Sequence, residues 1–528
     1  MAQSIYFGGP ILTMEEPLYA QALVEENGVI RYVGQLEQAL ELAGPQARKV
    51  DLEGRCLMPA FLDPHSHFMA CANSLLQVQL GECADQEELC RRLGEFVQRE
   101  KLQPGEWVRG TGYDQNDLAQ GCPPDRWMLD RACPDHPVVI QHASGHVGVF
   151  NSQAMELLGV DENTPCPQGG VMEKDDQGRL TGYMEENAFL SLLQKVPMPD
   201  LKDLMDALVR AQDRYASYGI ATVQDGMFMD AMLPLYQAML AQKLLKLDVV
   251  AYADPRDCKN IMEQFGDRVG HYKDHVKIGG DKIFLDGSPQ GRTAWMRQPY
   301  AGESDYRGYP TLTDEQVYER MKSALERDVQ LLAHCNGDRA AEQYLSVMER
   351  LERETGRRLR RPVMIHAQLV GRDQLPRLKA LGMIPSFFVA HVYHWGEVHV
   401  KNFGLERAEH ISPAGTACAL GIPFTFHQDS PVIQPNMMET VWCAVNRRTK
   451  TGRLLGEEER ISTLEALKAV TVYAAYQYFE EDRKGSLAVG KAADFVILGQ
   501  DPLTADPMAL RDIPVLETIK DGRTIWPG

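Results

Sequence analysis

The stretch Leu57-Met58-Pro59-Ala60-Phe61-Leu62-Asp63-Pro64-His65-Ser66-His67 decides how the rest of the chain is read. A short apolar run stops at a proline, and two histidines follow at positions i and i+2. On an extended segment that spacing sends both imidazoles to one face, because side chains alternate with period two. Neutral imidazole is the commonest metal ligand near physiological pH, so two held together form half of a metal site. Taken alone, the pair reads equally well as two unrelated loop histidines. Its weight comes from polar residues farther along the chain that end apolar runs in the same way.

Size and composition bound the possibilities. At 528 residues the chain exceeds one minimal domain, and a barrel of about 250 or more residues plus accessory parts fits the length. A hydrophobic content of 44% is ample for a sizeable core. The net charge of −19 argues against nucleic acid or anionic membrane as a partner and leaves a small-molecule substrate. Eleven cysteines with no C-x-x-C pair read as reduced thiols in apolar surroundings, as at Cys418, in a cytoplasmic protein. The start Met1-Ala2-Gln3-Ser4-Ile5-Tyr6-Phe7 lacks the basic and long apolar regions of a signal peptide. No apolar run reaches the roughly 18 residues that a membrane helix requires. A homodimer is the default oligomeric state.

Both ends read as strands and turns. Ala22 to Gly34 forms a hairpin across Asn27-Gly28, and the runs Ala493–Leu498 and Thr518–Trp526 repeat that character, the second with Asp521-Gly522. This pattern predicts one small sheet assembled from both termini. Between them, apolar runs alternate with amphipathic helical windows. Leu201–Tyr218 precedes Thr222-Val223-Gln224-Asp225, and Asp314–Arg327 precedes the run ending at His334. Val363-Met364-Ile365-His366 and Ile422-Pro423-Phe424-Thr425-Phe426-His427 follow similar windows. Such alternation points to an α/β fold with a parallel sheet, closed or open. In a (β/α)₈ barrel, catalytic groups gather at the C-terminal strand ends. From about residue 75 to 200 the rhythm breaks, which reads as an insertion, a lid or a substrate-facing subdomain.

The polar groups ending these runs are His65, His67, Lys282, His334, His366 and Asp429. Lys282 lies inside the apolar segment Gly280–Gly287, where an unpaired ammonium is costly. It needs a salt bridge to Asp281 or Asp286, a shifted pKa, or chemical modification. Each histidine singly is a core histidine, and Asp429 singly is a helix cap before Pro431. Together they are far less expected by chance.

With these residues in view, the chain resembles the amidohydrolase superfamily and, within it, the YtcJ-like branch (amidohydrolase family 3), which includes N-substituted formamide deformylase. The resemblance covers nearly the whole chain. It is carried by Pro59–His67, Gly145–Ser152, Lys282–Arg292, His334–Asp338 and the tail Gly485–Asp494. It implies a (β/α)₈ TIM barrel at 57–478 containing the insertion, with a composite β-sandwich built from 1–56 and 479–528. It further implies a metal centre in which His65 and His67 bind the more buried ion and His334 and His366 the second. Lys282 would be carboxylated and bridge the ions, and Asp429 would be a ligand and proton carrier. Zinc suits such a donor set, as one or two ions, with manganese or iron as alternatives. The implied reaction is hydrolysis of a non-peptide C–N bond in an amide, N-formyl compound or cyclic amide, by water activated at the metal. Asp429 would deliver the proton to the leaving nitrogen.

Further positions carry lesser assignments. His146 and Asn151 match the family's Gly-His and Asn-Ser stretch, facing substrate or shaping the loop. Glu186, after Thr181-Gly182, contacts substrate or holds a lid. Asp286 and Arg292 form a buried pair bracing their loop, or one orients substrate. His391 and Trp395 sit where the seventh strand should end and line the substrate pocket. Asp338 is expected to support His334 through its other ring nitrogen. His427 departs from the family, where a smaller residue is usual, and could crowd, hydrogen-bond or join the site. Two alternatives stand beside the leading reading. One is deamination or ester cleavage at the same centre; the other is a non-catalytic barrel scaffold, which would be expected to have lost ligands that are all present here.

Overall fold

The internal apolar runs singled out above are strands, and with Asp248–Ala253 and Ile384–Phe387 they make up eight strands that lie side by side in one parallel sheet. In chain order they are β1 (Phe61–Leu62), β2 (Ile220–Phe228), β3 (Asp248–Ala253), β4 (Val276–Phe284), β5 (Gln330–Cys335), β6 (Val363–His366), β7 (Ile384–Phe387) and β8 (Thr425–Phe426). Each pairs with its neighbours in this order, so the sheet is wound in sequence. Nearly every residue of β2 to β7 is buried, as expected of a sheet covered on both faces. Leu62, Val250, Tyr252, Leu332, Val363, Ile365 and Ile384, from five strands, meet in one cluster, which shows that the sheet curls. No ladder joins β1 to β8 among the described residues, yet the segments beyond them meet: His67 N donates to Ser430 O at 2.9 Å.

The connecting helices follow their sequence signals. Asp314–Glu326 starts at a reciprocal box in which Thr313 and Gln316 each bond the other's backbone N–H. Asp338–Thr355 buries Ala341, Tyr344, Leu345, Met348 and Leu351, a stripe at helical spacing.

The computed structural model describes residues 3–81, 83–115, 118–142, 147–168, 170–197 and 199–527. They form two compact units, Met1–Met69 with Ala211–Gly528, and Ala70–Arg210. The first unit contains the parallel sheet and also an eight-stranded sheet drawn from both ends of the chain. There Phe495–Leu498 pairs antiparallel with Cys56–Pro59, which in turn pairs with Gln3–Leu12. Asn27-Gly28 and Asp521-Gly522 all have positive φ, the geometry that lets a two-residue turn follow the twist of its strands.

The second unit holds a six-stranded sheet running Gly170–Lys174, Leu180–Glu185, Val147–Phe150, Val138–His142, Val108–Tyr113, Val78–Gln79. Helix Gln86–Glu100 packs into one of its apolar clusters and Glu186–Leu193 into the other. Eleven cysteines are free. Six are buried, Cys90, Cys258 and Cys418 are half-buried, and Cys122 and Cys166 are exposed. No helix among the described residues is long and apolar enough to cross a membrane.

Candidate metal centre

The turn after β1 is held from below. Gln224 and Gln477 both donate their amide N–H to Pro64 O, at 2.6 and 2.8 Å, and Tyr478 Oη donates to Asp63 O at 2.6 Å. Because the Gln224 nitrogen is committed to Pro64, its Oε1 is the atom facing His65 Nδ1 at 2.6 Å. The ring must therefore carry its proton on Nδ1 and present a lone pair at Nε2. Burial pushes the His65 imidazolium down to about 3, so the ring is neutral.

That lone pair faces Asp429, which follows β8. Asp429 Oδ1 lies 3.2 Å from His65 Nε2 and 3.3 Å from His67 Nε2, and Oδ2 lies 4.0 Å from His366 Nε2. Asp429 Oδ1 is buried and has no hydrogen-bond donor. Two lone-pair atoms thus face one another out of water, an arrangement that a cation between them relieves. The donor atoms of His65, His366 and Asp429 all lie within 4.8 Å of one another. Histidine nitrogen with carboxylate oxygen is a donor set suited to a divalent transition metal. These residues fit the ion.

Lys282, on β4, points to the same place, its Nζ 3.4 Å from His65 Nε2. Burial pushes its ammonium down to about 7, with Asp429 offsetting part of that effect. Neither salt bridge expected from sequence forms. Asp281 faces the other side of the strand, where it pairs with Arg327, and Asp286 accepts backbone N–H groups instead. His334, ending β5, places its ring 4.6 Å from that of His366. Asn336 Nδ2 lies 3.3 Å from His334 Nε2.

Two of these side chains sit on strained backbone. His366 has φ +70° and Asp429 φ +55°, a left-handed region that is uncommon for non-glycine residues.

The profile of the amidohydrolase family matches residues 48–526. The chain belongs to the amidohydrolase family. YtcJ of Bacillus subtilis (strain 168) is 27% identical to it over 540 residues, covering 99% of each chain. N-substituted formamide deformylase of Arthrobacter pascens is 27% identical over 95% of this chain and 94% of its own. The crystal structure of an uncharacterized metal-dependent hydrolase from Pyrococcus horikoshii OT3 superposes with a TM-score of 0.78 at 28% identity, covering 96% of this chain and 99% of that one.

Other positions of this amidohydrolase take the following places. His391 is buried, its Nδ1 3.0 Å from His399 Nε2, and its ring packs 4.4 Å from Phe388, which in turn lies 5.3 Å from His427. Trp395 interrupts helix His391–Phe403 with non-helical φ/ψ and packs 4.5 Å from His391. Arg292 does not form a buried pair with Asp286. Its guanidinium reaches the surface and pairs with Glu303 at 2.8 Å, because three backbone N–H groups (Asn336, Gly337 and Trp295) already occupy the Asp286 carboxylate.

Asp338 does not support His334 either. It accepts from Arg297 N at 2.7 Å, and it is Asp286 Oδ1 that lies 3.4 Å from His334 Nδ1. In the second unit, Asn151 caps helix Ser152–Leu158 and also bonds Val138 N and His136 O, a bracing role. Glu186 opens helix Glu186–Leu193 at φ +48°. His146 lies outside the described residues.

Sequence reasoning passed over Gln224 as a partner of the centre, and it set Asp286 beside Lys282 or Arg292 rather than beside His334. Gln224 carried a usable signal, a polar side chain, with Thr222 and Asp225, within the mainly apolar β2 next to a candidate ligand strand.

Proposed function

We propose that this amidohydrolase is a metal-dependent hydrolase of a non-peptide C–N bond, with an N-formyl or other amide as substrate. The observation that carries the reading is the Asp429 carboxylate facing the lone pair of a tautomer-locked His65 with no proton between them. His65, His67, His366 and Asp429 would hold a divalent ion, zinc first, with Lys282 and His334 available to a second. Bound there, the ion supplies Lewis acidity and an activated water at neutral pH. Asp429 accepts a proton from the attacking water and returns it to the departing nitrogen, so that amide and water become acid and amine. With its ammonium pushed down to about 7, Lys282 would be partly a free amine at neutral pH, able to add carbon dioxide with release of a proton and so become an anionic ligand. The likeness to N-substituted formamide deformylase supports the N-formyl class. The implied domain limits, with sandwich pieces at 1–56 and 479–528, belong to the same reading.

Metal analysis of protein produced with metal available, followed by a panel of N-formyl amines, amides, cyclic imides and esters, tests it. Transition metal should be present, a C–N substrate should turn over, and Asp429→Asn should lose at least about 10²-fold in rate. An Asp429→Asn enzyme near the wild-type rate would refute the mechanism, and metal-free protein with no turnover would favour a scaffold.

A further inference from the structure

Behind His366 lies a second imidazole outside the set of proposed ligands. His427 follows β8 and is wholly buried. Its Nε2 is 3.0 Å from His366 Nδ1, its Nδ1 is 2.8 Å from Ser386 Oγ on β7, and its ring lies 5.1 Å from that of His65. Three consecutive strands of the curled sheet, β6, β7 and β8, are thereby joined through side chains at the rim that carries the centre.

A neutral imidazole has one N–H and one lone pair. The 3.0 Å contact then allows two arrangements. If His427 donates, His366 keeps its proton on Nε2. That proton points toward Asp429 Oδ2 at 4.0 Å, beyond hydrogen-bond range, and no lone pair is left for a cation. If His366 donates from Nδ1, His427 donates its own Nδ1–H to Ser386 Oγ. His366 Nε2 then offers a lone pair beside the one that Gln224 imposes on His65. Only the second arrangement lets the two rings act alike.

We propose that the Ser386–His427 pair is the positioning device for His366: it accepts the Nδ1 proton, sets the ring plane, and aims the Nε2 lone pair at Asp429. The inference rests on the metal-centre reading above and extends it to two residues that reading does not use. The backbone explains the need. With φ at +70° in His366 and +44° in Ala367, the chain is already turning away from β6, and a bond from the neighbouring strands holds the ring in place. The support is a neutral imidazole rather than the carboxylate often found behind metal-bound histidine, so it orients His366 without adding charge.

The test uses the full chain, stripped of metal. Zinc affinity is measured by chelator competition, and cobalt(II) uptake is followed by visible absorption. His427→Leu should bind metal about 10–100-fold more weakly and shift the cobalt bands. His427→Gln, whose amide oxygen can accept the same proton, should recover most of the affinity. Ser386→Ala should shift the bands in the same direction with a smaller loss.

Wild-type affinity and an unchanged cobalt spectrum in folded His427→Leu overturn the proposal. So does a His427→Gln protein as weak as His427→Leu, which would make the effect one of packing. Should His427→Leu not fold, Ser386→Ala decides, and an unchanged spectrum there overturns the role. A wild-type protein that takes up no metal defeats the underlying site reading instead, and shows it before any variant is made.

Discussion

A glutamine decides what His65 can do. Gln224 accepts the Nδ1 proton because its nitrogen is committed to Pro64 O, and the ring is left with an outward lone pair. Gln224→Leu removes these bonds and a third, from Gln224 Nε2 to Tyr478 Oη at 3.2 Å, leaving Pro64 O with Gln477 alone. Metal affinity should fall about 10–100-fold in a chelator competition. Urea unfolding of the metal-free protein should register a loss of about 1–3 kcal/mol. Unchanged affinity would mean the tautomer is set elsewhere. At this scale the candidate ligands were legible, since imidazole or ammonium at the end of an apolar run demands an explanation. Their supports were less so. Asp338 is close to His334 in sequence, but it turns to Arg297 N, while Asp286 from another strand reaches the ring. Sequence separation predicts contact poorly where two strand ends meet.

Strands place these groups, and their own residues must leave room. A Cβ on Gly226 of β2 would lie 2.7 Å from His65 Cε1 and 3.0 Å from Ser66 O, and the second contact is with backbone that cannot step aside. Gly226→Ala should displace the His65 ring. Metal affinity should drop at least tenfold, in the range seen when a metal ligand loses its orientation. A stability cost of about 1–3 kcal/mol is expected from overpacking. A competition titration with parallel urea unfolding checks both, and a Gly226→Ala protein that binds metal normally would show the turn to be pliable. Element boundaries were legible where capping and periodicity agreed: the window from Asp314 closes at Glu326, one residue before expectation. The two-residue strands β1 and β8 were not, because so short an apolar pair has no period of its own.

Across the whole first unit, a buried ion network ties the parallel sheet to the terminal one at the end opposite the metal centre. Asp248 opens β3 and receives Lys484 Nζ at 2.6 Å and Lys520 Nζ at 2.9 Å. Lys484 also meets Glu480 at 2.8 Å, Glu480 pairs with Lys277 of β4, and Lys520 reaches Asp494 at 3.5 Å. Burial opposes the Asp248 charge, but Lys484 and Lys520 outweigh it and hold the carboxyl well below the usual carboxylate range. A depressed carboxyl stabilises the fold above its unfolded value near about 3.9, and that contribution is lost as pH falls below it toward the folded value. Asp248→Asn should therefore cost up to about 3–5 kcal/mol at neutral pH, because it removes the carboxylate shared by two buried lysines and leaves Lys484 to Glu480 and Lys520 to Asp494. It should also flatten the fall in stability below about pH 4, as read by denaturant unfolding across pH. A variant as stable as wild type would show that solvent reaches the network.

Local chemistry in the chain determined the alternation of strand and helix, the hairpins at both ends, and which polar residues finish the apolar runs, because each is written in a few neighbouring residues. Tertiary structure alone decided which lone pairs face one another, that Gln224 and His427 stand behind the two buried imidazoles, and that Lys282 has no salt-bridge partner beside it in sequence. These depend on atoms from strands far apart in the chain meeting within about the length of one hydrogen bond. Only the curl of the parallel sheet sets that distance, and no local pattern encodes it.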